Sequence, residues 1–471
     1  MATDDLLFAS ATTLLARLRA REVSSVELVD AHLAQIARVN PRLNAIVTLT
    51  ADSARAEAAD ADRRIAAGDP RPLEGLPVTI KDSIETAGVR TTDGTTLFAD
   101  YVPFADAVAV ARWKRAGAIV LGKTNVPELA LDYDCANPVF GPTLNPWDPE
   151  RVPGGSSGGE GAAIASGCSA LGLGSDLAGS VRIPAHFCGI VALKPTLEAI
   201  PRTGHMPPGI PPLPLALMGT LGPMARTVGD LALAYDLARG PHPSDPYIHP
   251  SPAVSEARID VRGLRCAFYT SGGPTPVAAP IRDATLRAAG ALGDAGLHCE
   301  ERAPRGLDSA HEIAIRLILA DGGAGFRMLA GERYGDFRPE LRRTLESQPA
   351  LTGMELLLEG MRRDAFRADL AALMEEYPVI LAPTLPIPAF RHDHDGHDID
   401  GTHVDHMAPL WGTDWVNLAG LPAVAVPVGL TGDGLPIGVQ IVGRPFAEGE
   451  ILAVARVVEE ALGGYRRPPL D

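Results

Sequence analysis

The chain has 471 residues, of which 46% are hydrophobic and 21% are charged, and its formal net charge is −16. These proportions are typical of a globular protein and exclude a largely disordered one. The acidic balance, without a cluster of basic residues, excludes nucleic acid as the main partner because binding to its backbone needs lysine and arginine in groups.

The first part of the chain predicts helices alternating with short strands. Helical periodicity occurs twice between residues 10 and 40, and Ser24 with Glu27 forms a capping box before the second helix. Lys81 is expected at the C-terminal end of a short buried strand. This strand lies within 75–82, after a predicted helix over 51–67. It is followed by a predicted helix over 106–116 and a predicted strand over 118–122.

The rest of the chain continues the α/β pattern. Small residues dominate 157–170, and a helix of such residues needs close neighbours to hold it, so we predict a buried central helix there. The later predicted elements are Pro-rich connections without regular structure over 197–222 and 241–257, an α/β run over 263–380, strands at 379–381, 423–426 and 437–442, and a helix over 448–462. We therefore predict one α/β domain over 1–471, whose late strands return to the early sheet.

The spacing of the cysteines, the charge of the N-terminus and the length of the apolar runs indicate where in the cell the protein is expected. The cysteines are five in number, widely spaced and never in a CxxC pair, so they predict neither a disulfide framework nor a zinc site. The N-terminus carries acidic residues where a signal peptide would be basic, and no apolar run is long enough to cross a bilayer. We expect a cytoplasmic protein without a membrane span.

Two glycine-rich segments, 153–159 and 172–184, are the candidates for chemistry. Neither has the spacing of a phosphate loop or of a dinucleotide site, but each carries a serine on a turn before a predicted helix. Free backbone N–H groups at such a turn suit an oxyanion hole. His186 is expected to be structural and the GxSxG elbow is missing, so a buried lysine is the remaining candidate for a base.

These segments resemble the signature of the amidase signature hydrolases. The resemblance is carried by Gly154–Gly159 and by the run from Gly179 to Gly189, which is followed by Lys194-Pro195. Segments 77–82, 122–125, 417–423 and 435–440 are similar to the family's other strands; the signature core covers about 76–196 and 415–443. The resemblance, which extends to bacterial amidases and fatty acid amide hydrolase-like enzymes, implies a central mixed sheet covered by helices on both faces, with N-terminal helices packed on the core.

The resemblance also implies a Ser–cisSer–Lys triad, with Ser180 as nucleophile, Ser156 as proton relay and Lys81 as base. Taken alone, each residue has an ordinary role, since a lysine is usually solvated and a serine often forms a turn. The family pattern implies an oxyanion hole of four backbone N–H groups, those of Leu177, Ala178, Gly179 and Ser180. Ala178 replaces a common glycine, and alanine tolerates positive φ poorly. Further residues are expected to order the site, namely Ser157, Asp176 and Arg182; a surface ion pair is the alternative for the last two.

The implied reaction is hydrolysis of an amide C–N bond through an acyl-enzyme, with no metal or cofactor. We expect specificity to lie in the variable regions 197–225, 305–375 and 388–414. Apolar pocket candidates favour hydrophobic acyl, aryl or alkyl amides, with carbamates (urethanase activity) and esters within chemical reach. The pocket candidates are Leu213–Met218, Leu356–Leu358, Trp411 and Trp415, although the second of these runs is better explained as helix core.

Two alternatives are a catalytically silent homologue and a glutamine amidotransferase A-type subunit. The latter has an acidic residue seven places before its NLAG-like motif, where this chain has Leu410. The joint presence of the three triad residues argues against loss of activity. The expected partner is a small amide or carbamate substrate, and a homodimer is the default assembly. The His/Asp-rich run 392–406 is interpreted as a solvated loop or a lid, with a metal site as the alternative.

Overall fold

The computed structural model describes residues 6–206, 213–254, 259–392 and 394–470. The first part contains the predicted helices, and the capping box of Ser24 and Glu27 is formed in both directions. The helices before the first glycine-rich segment are α1 (Ala11–Ala20), α2 (Ser25–Leu43), α3 (Ala51–Ala67) and α4 (Val108–Arg115). Apolar side chains spaced three and four residues apart bury one face of α1 and α2, which explains why these helices pack on the core.

An 11-stranded mixed sheet organises the molecule, and two further pairs of short strands lie outside it. The strands before the late region are β1 (Ile46–Leu49), β2 (Pro77–Lys81), β3 (Ile119–Thr124), β4 (Ala136–Asn137), β5 (Gly141–Pro142), β6 (Leu171–Asp176), β7 (Val191–Lys194) and β8 (Thr220–Ala225). The later strands are β9 (Arg265–Phe268), β10 (His298–Glu301), β11 (Val379–Pro383), β12 (His397–Ile399), β13 (Thr402–Val404), β14 (Ala423–Leu430) and β15 (Pro436–Gly443). The strand order of the large sheet is β1-β3-β2-β6-β8-β7-β14-β15-β11-β9-β10. Late strand β14 pairs with β7 and with β15, so the late strands return to the early sheet, as predicted.

The remaining helices surround this sheet, which confirms the predicted α/β class. In chain order they are α5 (Gly158–Ala165), α6 (Arg182–Cys188), α7 (Leu213–Met218), α8 (Val228–Ala238), α9 (Ala279–Asp294), α10 (Leu307–Ile318), α11 (Ala324–Ala330), α12 (Pro339–Leu345), α13 (Gly353–Glu376), α14 (Asp414–Ala419) and α15 (Glu448–Leu462). Within the described ranges, no helix combines the length and apolar character needed to cross a membrane. The assignment of 1–471 to one domain stays a prediction.

Helix α5 is the central helix that the small residues predicted, and all of its residues are buried. A Cβ at Gly159 would lie 2.3 Å from the backbone nitrogen of Asn125 and 2.7 Å from the carbonyl oxygen of Ala45. Glycine is required here because another chain segment passes directly against the helix backbone. The close contact compensates for the poor intrinsic helix propensity of glycine.

The expectation of irregular structure over 197–222 was wrong in its second part. Helix α7 and the start of β8 lie there, while 207–212 fall outside the described residues. A proline in the first turn of a helix needs no hydrogen-bond donor, so Pro214 is compatible with α7. Strand β8 pairs with β6 through the whole of its length, so tertiary pairing decides its conformation.

Candidate active site

Three chain segments meet at the C-terminal ends of two neighbouring strands inside the sheet. Strands β2 and β6 are parallel neighbours, with Ile80 opposite Leu173, so their C-terminal ends lie side by side. Lys81 ends β2, and the glycine-rich turn before α5 carries Ser156. The turn between β6 and α6 carries Ser180. The topology therefore brings the two glycine-rich segments and the predicted lysine together.

Lys81 is fully buried and is surrounded by hydroxyl groups. Its Nζ lies 2.6 Å from Ser156 Oγ and 2.9 Å from Ser175 Oγ. Burial lowers the pKa of Lys81 to about 8, because the charged form loses its hydration. With this pKa the neutral amine, the form that a base needs, is a minor form at neutral pH and the major form above about pH 8.

Buried acidic groups near Lys81 oppose part of that effect. Asp93 and Glu160 favour a charged lysine, but burial raises their own pKa values, that of Glu160 to about 8. Thr79 Oγ1 donates to Glu160 Oε2 at 2.6 Å. Because these carboxyls are themselves driven towards the neutral form, burial outweighs their attraction for a proton on Lys81.

The serines of the first glycine-rich turn have different surroundings. The peptide bond between Gly155 and Ser156 is cis. Ser157 is fully buried, and its backbone N–H donates to Ser180 O at 3.1 Å, which joins the two turns. Its hydroxyl donates to Ser175 O at 3.3 Å, so Ser157 holds the turns in place and does not contact Lys81. Among the hydrogen bonds of the described residues, none joins the hydroxyls of Ser156 and Ser180.

The turn before α6 departs from the predicted oxyanion hole at one position. The backbone N–H of Gly179 donates to Asp176 Oδ1 at 2.8 Å, so this donor is already occupied. The N–H groups of Leu177, Ala178 and Ser180 remain candidates, and all three residues line a cavity. Positive φ falls on Gly179, at +119°, and not on Ala178, so alanine at 178 meets no strain of this kind.

Asp176 and Arg182 form a buried ion pair 3.0 Å apart, and the surface alternative is wrong. Burial alone would raise the pKa of Asp176, but Arg182 and its hydrogen bonds hold that pKa well below its usual value. Arg182 Nη1 also donates to Gln440 Oε1 at 2.7 Å, and Asn417 Nδ2 donates to Asp176 Oδ1 at 2.9 Å. The network ties the turn that carries Ser180 to α14 and β15.

A cavity of about 350 Å³ opens at half-buried Ser180. Most of its lining is apolar, contributed by Leu131, Leu177, Ile183, Ile315, Ile318, Leu319, Met407 and Leu410. Two charged residues also border it, and both have partners: Asp132 Oδ1 lies 2.8 Å from His406 Nε2, and Arg343 lies 3.2 Å from Glu340. Apart from these, an acyl or aryl group entering the cavity would meet mainly hydrocarbon.

Comparison with known proteins identifies the family of this chain. The family model described as Amidase matches residues 27–452. The chain belongs to this family, the amidase signature enzymes. It is accordingly an enzyme that cleaves amide C–N bonds.

Relatives of this amidase include amidotransferase subunits and enzymes that act on other amides. The A subunit of glutamyl-tRNA(Gln) amidotransferase from Roseiflexus sp. (strain RS-1) is 37% identical, covering 95% of each chain, and seven further relatives at 34–37% identity bear the same name. A chain from a solved vestigial protein complex, described as revealing the evolutionary origins of an s-triazine catabolic enzyme, has a TM-score of 0.90 and 31% identity, covering 98% of this chain and 100% of its own. A bacterial aryl acylamidase has a TM-score of 0.87 and 26% identity over 96% of each chain.

The pocket candidates named from the amidase sequence were wrong in detail. Trp411 and Trp415 are fully buried in the core, where Trp411 Nε1 donates to Thr275 Oγ1 at 2.7 Å. On α13, Leu357 and Leu358 are 67% and 49% exposed, and only Leu356 packs against the core. The helix presents these leucines to solvent, so neither the pocket nor the core interpretation holds for them. The side chains of 213–215 lie outside the described residues.

Sequence reasoning missed two polar residues of the amidase site. Ser175 contacts Lys81, and Thr413 Oγ1 donates to Ala178 O at 2.6 Å. Ser175 is the next-to-last residue of β6, and its place beside the end of β2 could have suggested it. His186 is structural, as predicted, since its Nε2 lies 3.0 Å from Ile387 O and its Nδ1 accepts from Gly438 N–H at 2.6 Å.

Proposed function

We propose that this amidase hydrolyses amides of apolar acyl or aryl groups through Lys81, Ser156 and Ser180. The observation that carries the proposal is the apolar cavity that opens at Ser180. Carbamates and esters of similar shape would pass through the same kind of tetrahedral oxyanion, so they are within reach of the same site.

The proton route begins at Lys81. The neutral amine takes the proton of Ser156 across the 2.6 Å contact as Ser156 takes the proton of Ser180. The Ser180 oxygen then forms a bond to the carbonyl carbon, and the carbonyl oxygen becomes an oxyanion facing the free N–H groups of the β6–α6 turn. Ser180 must reach Ser156 in the substrate complex, where catalytic hydrogen bonds commonly tighten.

The tetrahedral intermediate collapses when the carbon–nitrogen bond breaks. The proton held by Lys81 returns through Ser156 to the leaving nitrogen, which departs as an amine. Water then adds to the acyl carbon of the Ser180 ester, with the same lysine and serine removing its proton. Breakdown of that second intermediate releases the carboxylic acid and restores the Ser180 hydroxyl.

The second candidate is the A subunit of an amidotransferase, and sequence similarity favours it over hydrolysis of apolar amides. The relatives at 34–37% identity all bear that name, and a subunit by definition works with partner chains. On the other side, Leu410 is buried and lines the cavity at the position where the amidotransferase pattern has an acidic residue. An amino acid substrate would need a carboxylate there for its ammonium group.

A matched substrate panel tests both candidates. It contains an anilide, a primary amide and an ester of one apolar acyl group, a carbamate of the same aniline, and L-glutamine. We expect kcat/KM for the apolar amides to exceed that for L-glutamine by at least tenfold, because the cavity buries the apolar group. The measurement is steady-state hydrolysis by the chain alone.

The control is Ser180→Ala, which should lower kcat by at least about 10³-fold on every active substrate because it removes the nucleophile. A preference for L-glutamine would contradict the apolar proposal and support the amidotransferase candidate. Unchanged turnover by Ser180→Ala would overturn the assignment of the triad itself.

A further inference from the structure

Three imidazole rings meet at the base of a β-hairpin beside the cavity. Strands β12 and β13 pair with His397 opposite Val404. His394 precedes the hairpin and His406 follows it. One ring nitrogen of each histidine lies within 4.8 Å of the others. The run predicted as a solvated loop is thus a folded hairpin, with Asp393 outside the described residues.

Two of these rings carry buried nitrogens without a partner. His394 Nδ1 and His406 Nδ1 are removed from solvent, and no hydrogen bond of the described residues uses either atom. Buried polar atoms in native structures are nearly always paired, so two unpaired nitrogens on rings of one cluster point to a missing ligand.

The neighbours of the rings fix which nitrogens carry lone pairs. His406 Nε2 lies 2.8 Å from the carboxylate oxygen Asp132 Oδ1, which can only accept, so in the neutral ring Nε2 holds the proton and Nδ1 the lone pair. His397 Nε2 lies 3.3 Å from the carbonyl oxygen of His406, which likewise can only accept. It also lies 2.8 Å from the Tyr133 hydroxyl, whose own proton goes to that same carbonyl. In the neutral ring of His397, Nδ1 is therefore the nitrogen with the lone pair.

We propose that His394, His397 and His406 bind one divalent transition-metal ion of the zinc class. Neutral imidazoles are preferred ligands of such ions, and three of them leave a fourth tetrahedral position for water. The contact of His406 with Asp132 matches the carboxylate–histidine–metal arrangement that orients a ligand and raises its basicity. The carboxylate also supplies negative charge next to the ion.

The ion would close the base of the hairpin and hold one wall of the cavity. Asp132, Tyr133 and Met407 line the cavity, and Tyr133 stacks on His406 at 4.4 Å between ring centroids. The site is distinct from Lys81, Ser156 and Ser180, so the ion takes no part in the proton route. A purely aromatic cluster is the competing explanation, since Phe390 packs edge-on against His394 at 4.6 Å.

The test uses Co²⁺ as a spectroscopic probe on tag-free, chelator-treated full-length protein. We expect one Co²⁺ per chain with the visible d–d bands of tetrahedral coordination, displaced by Zn²⁺. His394→Ala should abolish these bands, and Asp132→Asn should weaken binding by about 10- to 100-fold through loss of ligand orientation. His403→Ala is the matched control, because this exposed histidine lies on the same hairpin outside the cluster.

Absence of saturable Co²⁺ binding by the unaltered protein would overturn the proposal in favour of the aromatic cluster. Equal binding by His394→Ala and the unaltered protein would also overturn it, because the ion would then lie elsewhere. Circular dichroism verifies that each variant is folded. If His394→Ala does not fold, Asp132→Asn decides: unchanged affinity in that variant contradicts the proposed site.

Discussion

At the residue scale, the protonation state of Lys81 controls the proposed chemistry. Burial lowers its pKa to about 8, and only the neutral form can accept the Ser156 proton. We therefore expect kcat/KM to fall about tenfold per unit below pH 8 and to reach a plateau above it. A pH–rate profile with the best substrate of the panel measures this. A rate independent of pH between 6 and 9 would contradict the assignment of Lys81 as base.

Lys81→Arg separates a base from a simple positive charge. Arginine keeps the charge but is not deprotonated in proteins, so we expect a loss of about 10²–10⁴-fold in kcat. Lys114→Arg is the matched control, since half-buried Lys114 forms an ion pair with Asp106 that arginine can also form. Comparable loss in both variants would point to a general effect on folding.

The triad was predicted because each of its residues stands in a sequence pattern that the family shares, and the predicted contact of Lys81 with Ser156 is present at 2.6 Å. The catalytic roles of the three residues stay a prediction. Ser175 could not be predicted, because its role arises only when β6 is placed beside β2 and its hydroxyl meets Lys81. The sequence also did not predict that the N–H of Gly179 is already hydrogen-bonded, because this bond forms when the Asp176 side chain folds back onto its own turn. Contacts of this kind depend on tertiary register, which one sequence does not reveal.

At the element scale, the turn between β6 and α6 depends on glycine at 179. Its φ is +119°, and an added Cβ would lie 2.5 Å from Thr413 Oγ1. Gly179→Ala should therefore displace the turn that carries Ser180 and lower kcat strongly. Gly88→Ala is the matched control, because Gly88 has a φ of +73° but open space around its Cβ position.

A comparison of Gly179→Ala with Gly88→Ala separates the effect of backbone strain from the effect of a steric clash at the added Cβ. Both incur the cost of positive φ, about 1–2 kcal/mol, but only Gly179→Ala also collides with Thr413. Thermal unfolding and kcat, measured for both, provide the comparison. Full activity in Gly179→Ala would show that the precise path of this turn is not required for catalysis.

Helices and strands with a clear local sequence pattern were predicted correctly, whereas elements whose conformation depends on pairing with a distant strand were missed. Helix α3 begins and ends where its pattern indicated, and β2 ends at Lys81 as expected. Helix α7 and strand β8 were missed because proline obscured the local pattern and β8 is defined by its partner β6. On α13, the run of three consecutive leucines predicted helix core, yet Leu357 remains 67% exposed.

At the scale of the whole molecule, one sheet is assembled from distant parts of the chain. Strand β7 pairs with β14, which joins segments more than two hundred residues apart in the sequence. Arg182 reinforces this joint at the candidate active site, since it contacts Asp176 in the turn that carries Ser180 and Gln440 on β15. The late strands are thus joined to the early part of the sheet both by strand pairing and by the buried hydrogen bonds of Arg182.

Removing the positive charge from this network should destabilise the molecule. Arg182→Leu leaves the fully buried Asp176 carboxylate without its ion-pair partner, and breaking a buried pair in this way typically costs about 3–5 kcal/mol. We expect a lower midpoint of thermal unfolding, measured by circular dichroism, together with loss of activity. Removing both charges of the pair should lower the free energy of unfolding less than removing Arg182 alone, because an amide at position 176 leaves no unpaired buried charge. The double variant Asp176→Asn/Arg182→Leu should therefore unfold at a higher temperature than Arg182→Leu alone. Equal midpoints for the two variants would mean that Arg182 stabilises the joint through packing and its contact with Gln440, and not through the buried charge pair.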